Sequence, residues 1–78
     1  MKTGKITASN KMLESHDLPL DRFYKRCLVY IFREVDKRKI PVRYLNLFHP
    51  DFNEFYYIGD CEDDEQPYMI PKEWITIV

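Results

Sequence analysis

Residues 20–39 constrain the fold more than any other stretch, because their apolar side chains recur at the spacing of one helical face. The apolar positions follow the i, i+3, i+4, i+7 series over about four turns: Leu20, Phe23, Tyr24, Cys27, Leu28, Ile31 and Val35. Pro19 suits the first turn of a helix because its φ is fixed, and Pro41 prevents the helix from continuing. The pattern predicts one long amphipathic helix.

The middle of this predicted helix is apolar on nearly all sides. Val29, Tyr30 and Phe32 lie off the apolar face, although a helix that packs on one sheet needs only one apolar stripe. These three side chains therefore predict an interface, made either with the N-terminal segment or with another subunit.

The rest of the sequence predicts a short N-terminal lead and a run of strands. Residues 1–18 show little periodicity, so we expect a partly flexible N-terminal lead before a single α+β domain over residues 19–78. After Pro41 the apolar period changes to two, which is typical of strands, and the predicted strands cover residues 42–48, 54–58, 67–70 and 74–78. The predicted fold is α+β, with one long amphipathic helix packed on a small, curled antiparallel sheet of three to four strands.

The end of the chain adds an indication of curvature. The segment Ile70-Pro71-Lys72-Glu73-Trp74-Ile75 resembles the end of SH3-like barrels, in which a short proline-bearing turn precedes the last strand. The resemblance is confined to these residues and implies a strongly curved sheet. The long predicted helix and the missing ligand-binding loop signatures depart from that family.

A formal net charge of −1 hides a strong division of charge along the chain. Residues 20–40 carry seven basic and three acidic side chains, whereas residues 49–73 carry eight acids and a single lysine. The molecule is dipolar if the two segments occupy different faces, and internally compensated if they adjoin. Both arrangements are compatible with the sequence.

The basic side chains gather on the polar face of the predicted helix. At about 100° per residue, the positions that share this face are Arg22, Lys25, Arg26, Arg33 and Lys37. One interpretation is a solvated face that the acidic half of the chain neutralises. The other is a binding stripe for nucleic acid or for an acidic protein partner.

The acidic side chains concentrate in a predicted loop that follows Gly59. The loop carries Asp60, Glu62, Asp63, Asp64 and Glu65. A calcium loop would need oxygen ligands at alternate positions with a central glycine, and this spacing is missing. We expect a solvated hairpin tip, with mimicry of a nucleic-acid backbone as the alternative interpretation.

The sequence offers no recognisable set of catalytic or metal-binding residues. No glycine-rich phosphate loop or nucleophile motif is present, and the two cysteines and two histidines lack zinc-ligand spacing. A His49–Asp51 pair is adequately explained by turn chemistry. We therefore expect no enzyme activity, no metal and no cofactor. With no apolar run of membrane-spanning length and no signal peptide, a cytoplasmic location with free thiols is expected.

These patterns favour a small non-enzymatic protein-interaction module. It would be an adaptor or inhibitor, of the kind that phages and mobile elements encode, that docks a charged and aromatic surface on a larger protein partner. The alternative is a nucleic-acid-binding protein that uses the basic helix face. A third hypothesis, formation of a homo-oligomer, is compatible with either.

Overall fold

A computed structural model describes residues 2–40 and 52–78 of the chain. Over these residues the dominant element is a single antiparallel sheet. Its strands are β1 (Lys2–Ile6), β2 (Leu28–Asp36), β3 (Glu54–Gly59), β4 (Tyr68–Pro71) and β5 (Ile75–Ile77). One short helix, α1 (Asn10–Ser15), and two 3₁₀ turns, Lys37–Lys39 and Lys72–Trp74, complete the described elements.

The predicted long helix is wrong, and with it the α+β fold in which such a helix packs on the sheet. Residues 28–36 form β2, and residues 20–27 form a succession of turns. Along β2, Val29 and Ile31 are buried whereas Leu28 is half-exposed, which is the two-residue period of a strand. Arg26 has a φ of 74°, a left-handed conformation that no α-helix can continue through.

The same residues account for the error. Residues 27–32 are rich in β-branched and aromatic side chains, which suit a pleated surface better than a helix. Their apolar character on all sides fits a strand in the middle of a sheet, and β2 pairs with β1 on one side and β3 on the other. The helical spacing of residues 20–35 arose because buried residues of the turns precede a strand that is apolar on both faces.

The N-terminal segment supplies an interior strand of the sheet. The strand order is β4-β3-β2-β1-β5, so β1 pairs with β2 and β5 at the same time. Gly4 permits close approach of β5, because a Cβ at this position would lie 2.5 Å from Cγ2 of Ile75. The first strand in the sequence therefore joins the last strand to the rest of the sheet.

The connection between the two edge strands requires the sheet to curl. Only the 3₁₀ turn Lys72–Trp74 separates β4 from β5, and the step from Pro71 to Ile75 reaches at most about 14 Å. In a flat sheet, strands at the two edges of this order would lie about 19 Å apart. The sheet therefore curves until its edges approach each other. The resemblance to SH3-like barrels implied a proline-bearing turn before the last strand, and at this place Pro71 ends β4 and precedes the 3₁₀ turn.

The core lies between the curled sheet and the segment that connects β1 to β2. Its most deeply buried side chains come from the strands, from α1 and from the turns: Ile6, Leu13, Phe23, Val29, Ile58 and Ile70. Ser9 starts α1 by accepting a hydrogen bond from the Met12 N–H at 3.2 Å. This short helix and the turns pack on the sheet, as the sequence predicted for the long helix.

The C-terminal strands correspond well to their sequence pattern. β3, β4 and β5 fall within the predicted strands at residues 54–58, 67–70 and 74–78, or extend them by one residue. The predicted strand at residues 42–48 and the His49–Asp51 turn lie outside the described residues. Within the described part of the chain, the strands that pair with β3 are β2 and β4.

Candidate interaction surfaces

The turns at residues 20–27 place three of the predicted basic residues in two different environments. Pro19 begins the segment, and its carbonyl oxygen accepts hydrogen bonds from the N–H groups of Arg22 and Phe23. Phe23 is fully buried, which anchors the segment on the core. Arg22 lies on one side of this anchor, and Lys25 and Arg26 lie further along the chain.

Arg22 contacts the acidic loop and does not belong to a free basic stripe. Its Nε donates to Asp60 Oδ2 at 3.0 Å, and its Nη2 pairs with Asp64. Its Nη1 reaches the carbonyl oxygen of Gln66 at 3.5 Å. The guanidinium also lies 4.9 Å from the ring centre of Phe23 and 5.4 Å from that of Tyr68. We call this group of Arg22, Asp60 and Asp64 the arginine clasp.

The clasp gives the acidic loop a defined fold. The carboxylate of Asp64 accepts the backbone N–H groups of Asp60 at 3.2 Å and Gln66 at 2.8 Å, and its side chain is only 7% exposed. Hydrogen bonding from Arg22 lowers the pKa of Asp60 below its ordinary value. The other predicted loop carboxylates, Glu62, Asp63 and Glu65, are exposed. Part of the opposite charge in the chain is therefore internally compensated.

We expect Arg22→Met to destabilise the protein by about 1–3 kcal/mol near neutral pH, because a poorly hydrated Asp64 carboxylate loses its cationic partner. Since the folded-state pKa of Asp60 is depressed, its contribution is present above the unfolded-state pKa and is lost as pH falls through the folded value. Urea unfolding of both proteins should therefore show a difference that shrinks below about pH 4.

Arg38→Met is the matched control, because Arg38 also pairs with an aspartate, Asp36, but its own side chain is 90% exposed. It should alter stability less than the change at Arg22. Equal losses in the two variants, or a loss at Arg22 that is the same at pH 3 and pH 7, would contradict the clasp.

Lys25 and Arg26 line an open groove that does not include the residues of the arginine clasp. Its volume is about 290 Å³, and most of its surface is apolar. The residues that line it come from the end of β1, the turns and β5: Lys5, Ile6, Thr7, Lys25, Arg26, Thr76 and Val78. We call it the basic groove, because three of its lining residues are cationic and none is acidic.

The backbone around the basic groove is held by hydrogen bonds. The N–H of Arg26 donates to the carbonyl oxygen of Ile6 at 2.7 Å, and the N–H of Lys25 donates to Asn10 Oδ1 at 2.7 Å. Lys5 pairs in register with Thr76 on β5 and with Leu28 on β2. The three cationic side chains are exposed, and among residues 2–40 and 52–78 none of them forms an ion pair.

Large apolar side chains are exposed around the basic groove. Val78 in its lining is 60% exposed, Leu28 opposite Lys5 is 51% exposed, and Tyr24 beside Lys25 is 49% exposed. Exposed apolar side chains next to cationic ones form the kind of mixed surface that protein interfaces bury. This is the feature that distinguishes the groove from an ordinary solvated charge cluster.

The remaining predicted basic residues lie elsewhere. The Arg33 guanidinium lies 4.6 Å from the ring centre of Tyr57, with which it pairs in register across β2 and β3. Lys37 begins a 3₁₀ turn, and its N–H donates to the carbonyl oxygen of Asn53 at 2.9 Å. Arg33 lies five residues along β2 from Leu28, which is about 16 Å of strand. The five predicted cations therefore do not form one stripe, since the helix that would align them does not exist.

The three side chains of the predicted interface differ in burial. Val29 is fully buried in the core, whereas Tyr30 and Phe32 are partly exposed. Phe32 lies at the irregularity between β2 and β3, where the register shifts between Ile31 and Arg33. It covers Gly59, at which a Cβ would approach the Phe32 ring to 2.7 Å. Phe32 thus serves a packing role within the chain.

Among residues 2–40 and 52–78, no group of three His, Cys, Asp or Glu side chains could hold a metal ion. Burial raises the pKa of the Cys27 thiol, and the Asp63 side chain raises that of Cys61, so neither is activated as a thiolate. In the same part of the chain, no helix has the length and apolar composition that crossing a membrane requires.

Sequence reasoning identified Lys25 and Arg26 but missed Lys5, Thr76 and Val78. Lys5 and Thr76 are brought together by the pairing of β1 with β5, across almost the whole length of the chain. No local pattern reports a pairing of that kind.

Comparison with protein-family models, curated proteins and solved structures gives no match. The chain's own geometry therefore carries the functional argument.

Proposed function

We propose that this chain is a small non-enzymatic protein-interaction module that docks on a larger partner through the basic groove. The observation that carries the proposal is the exposure of three cations, without ion-pair partners among the described residues, around an apolar groove. A domain that acts alone gains nothing from leaving such a surface in water. Burial against a protein partner would remove the apolar area from water and pair the charges.

Nucleic-acid binding is the alternative, and it is less well supported. Of the five cations that the sequence assigned to it, Arg22 is held by Asp60 and Asp64, and Arg33 lies on Tyr57. Lys37 does not line the basic groove, so Lys25 and Arg26 are the two of the five that do, and Lys5 adds a third cation there. Tyr24 is an exposed aromatic side chain on which a base could stack. Three cations neutralise few phosphates, and the aliphatic surface of Leu28 and Val78 has no role on a nucleic-acid backbone.

Site-specific photo-crosslinking tests the proposal. A photo-crosslinking amino acid replaces Thr76 in the groove or, as the control, Glu73 away from the groove lining, and each protein is expressed in cells and irradiated. We expect discrete protein adducts at position 76 that resist nuclease treatment, and none of the same mass at position 73. Adducts that nuclease removes would overturn the proposal in favour of nucleic acid, and identical protein adducts at both positions would overturn the groove.

A titration with a mixed-sequence oligonucleotide provides the second arm. At about 0.15 M salt, we expect no saturable binding, because three cations give only a small electrostatic gain at this ionic strength. Saturable binding that weakens with salt, and that the double variant Lys5→Glu/Lys25→Glu abolishes, would make nucleic acid the ligand of the groove.

A further inference from the structure

Resting on the proposed function, we infer that the basic groove takes an acidic segment of a partner protein, and that this segment carries an apolar anchor residue. The inference concerns the chemistry of the occupant, which the proposed function leaves open. It follows from the size of the groove, from the composition of its floor and from the placement of the three cations.

The floor of the groove requires an apolar group. Ile6, Thr76 and Val78 contribute to a lining that is mainly apolar. The volume of about 290 Å³ is near the lower limit of about 300 Å³ for pockets that hold a whole drug-sized ligand. It suits a few side chains of a peptide segment better than a larger molecule. A leucine or phenylalanine in the groove would remove apolar surface of both partners from water.

The rim of the groove requires negative charge. Lys5, Lys25 and Arg26 project from backbone that is fixed by strand pairing and by the two hydrogen bonds of the Lys25–Arg26 turn. No acidic residue belongs to the lining. An occupant with carboxylates on both sides of its anchor would satisfy this rim, and one with lysines would be repelled.

The acidic loop of a second copy fits the groove less well than a foreign segment does. The loop sequence from Asp60 to Gln66 is Asp-Cys-Glu-Asp-Asp-Glu-Gln, in which Cys61 is the only apolar member. Two of its carboxylates, those of Asp60 and Asp64, are already held by Arg22 of the same chain. The loop therefore offers charge without a large apolar anchor, and the inference assigns the groove to a partner of different sequence.

Two fluorescein-labelled peptides of equal length test the inference by fluorescence anisotropy. One alternates glutamate with leucine and the other alternates glutamate with serine, so that they share charge and differ in the anchor. We expect the glutamate–leucine peptide to bind the full chain at least about tenfold more tightly, which corresponds to about 1.4 kcal/mol. A lysine–leucine peptide should not bind.

Charge variants then locate the binding. Lys5→Glu/Lys25→Glu should weaken the glutamate–leucine peptide by at least about tenfold, whereas Arg33→Glu, on exposed β2 surface outside the groove lining, should leave it unchanged. Urea unfolding tests whether both variants are folded. Light scattering of the unliganded wild-type chain at several concentrations tests whether a second copy occupies the groove.

Each contrary result overturns a specific part of the inference. Equal binding of the glutamate–serine peptide would show that the occupant needs no apolar anchor. Loss of binding in Arg33→Glu alone would show that the peptide binds outside the groove. A mass that doubles with concentration in the wild type, but not in Lys5→Glu/Lys25→Glu, identifies a second copy as the occupant. If the groove crosslinks to a protein but no acidic peptide binds, the proposed function stands and the inference fails. If no protein adduct forms at the groove, the proposed function fails as well.

Discussion

Replacing Phe23 by alanine is expected to reduce the free energy of unfolding by about 3–5 kcal/mol, because a fully buried aromatic ring leaves a cavity. The neighbouring change Tyr24→Ala should cost only about 0.5 kcal/mol, since the Tyr24 side chain is 49% exposed. For a chain of this size, the first loss is a large part of the whole stability, which is about 5–15 kcal/mol in typical domains.

The pair also tests the fold. In a helix over residues 20–39, Phe23 and Tyr24 would share the apolar face and both would be buried. The turns at residues 20–27 bury the first residue and expose the second. Urea denaturation monitored by circular dichroism gives both free energies. Similar large losses in the two variants would favour the helix and contradict the turns.

Replacing Ile6 by alanine is the second change with a large expected effect, about 2–5 kcal/mol. Ile6 is 1% exposed, and β1 is paired on both sides, so the cavity would open in the core beside an interior strand of the sheet. Lys2→Ala, at the exposed start of the same strand, is the matched control and should change stability by no more than about 0.5 kcal/mol.

Amide hydrogen exchange completes the test of β1. The N–H of Ile6 donates to the carbonyl oxygen of Cys27, and that of Thr7 donates to the carbonyl oxygen of Trp74. These amides should exchange as slowly as those of β3, because they open only with the sheet. Fast exchange together with a negligible effect of Ile6→Ala would support a flexible N-terminal lead.

The C-terminal half of the fold was accessible from the sequence. Strands β3, β4 and β5 are bounded by prolines, a glycine or an acidic turn, and each is rich in residues that suit a pleated surface. Such local signals are sufficient to locate the strands, although only β3 and β4 are neighbours both in the sequence and in the sheet, whereas β5 pairs with β1. The predictions for these segments needed no knowledge of long-range pairing.

The first half was not accessible in the same way. The stretch from Leu20 to Val35 satisfies the helical period by coincidence, and the two-residue alternation of Val29 and Ile31 is obscured because β2 is apolar on both faces. What decides the structure is the pairing of β2 with β1 and β3. Tertiary pairing overrides a local period when the residues also favour a strand.

The candidate site was partly accessible. Sequence identified Lys25 and Arg26 as unusual, but it could not separate them from Arg22, which the fold directs to Asp60 and Asp64. This ion pair joins residues nearly forty positions apart, a distance over which no local sequence pattern reports a contact. The sequence also contains no sign that Lys5 belongs to the groove, because Thr76, its partner on β5, lies at the far end of the chain.

The position of β1 has a consequence for the time course of folding. Gly4 pairs with Ile77, so the sheet is complete only when the two ends of the described chain have met. Closing so long a loop is entropically costly, and sheets dominated by distant pairings fold over roughly milliseconds to seconds. Until β5 arrives, one side of β1 is an open edge on which another chain could pair. We therefore expect aggregation during refolding to rise with protein concentration and to cease once β5 is in place.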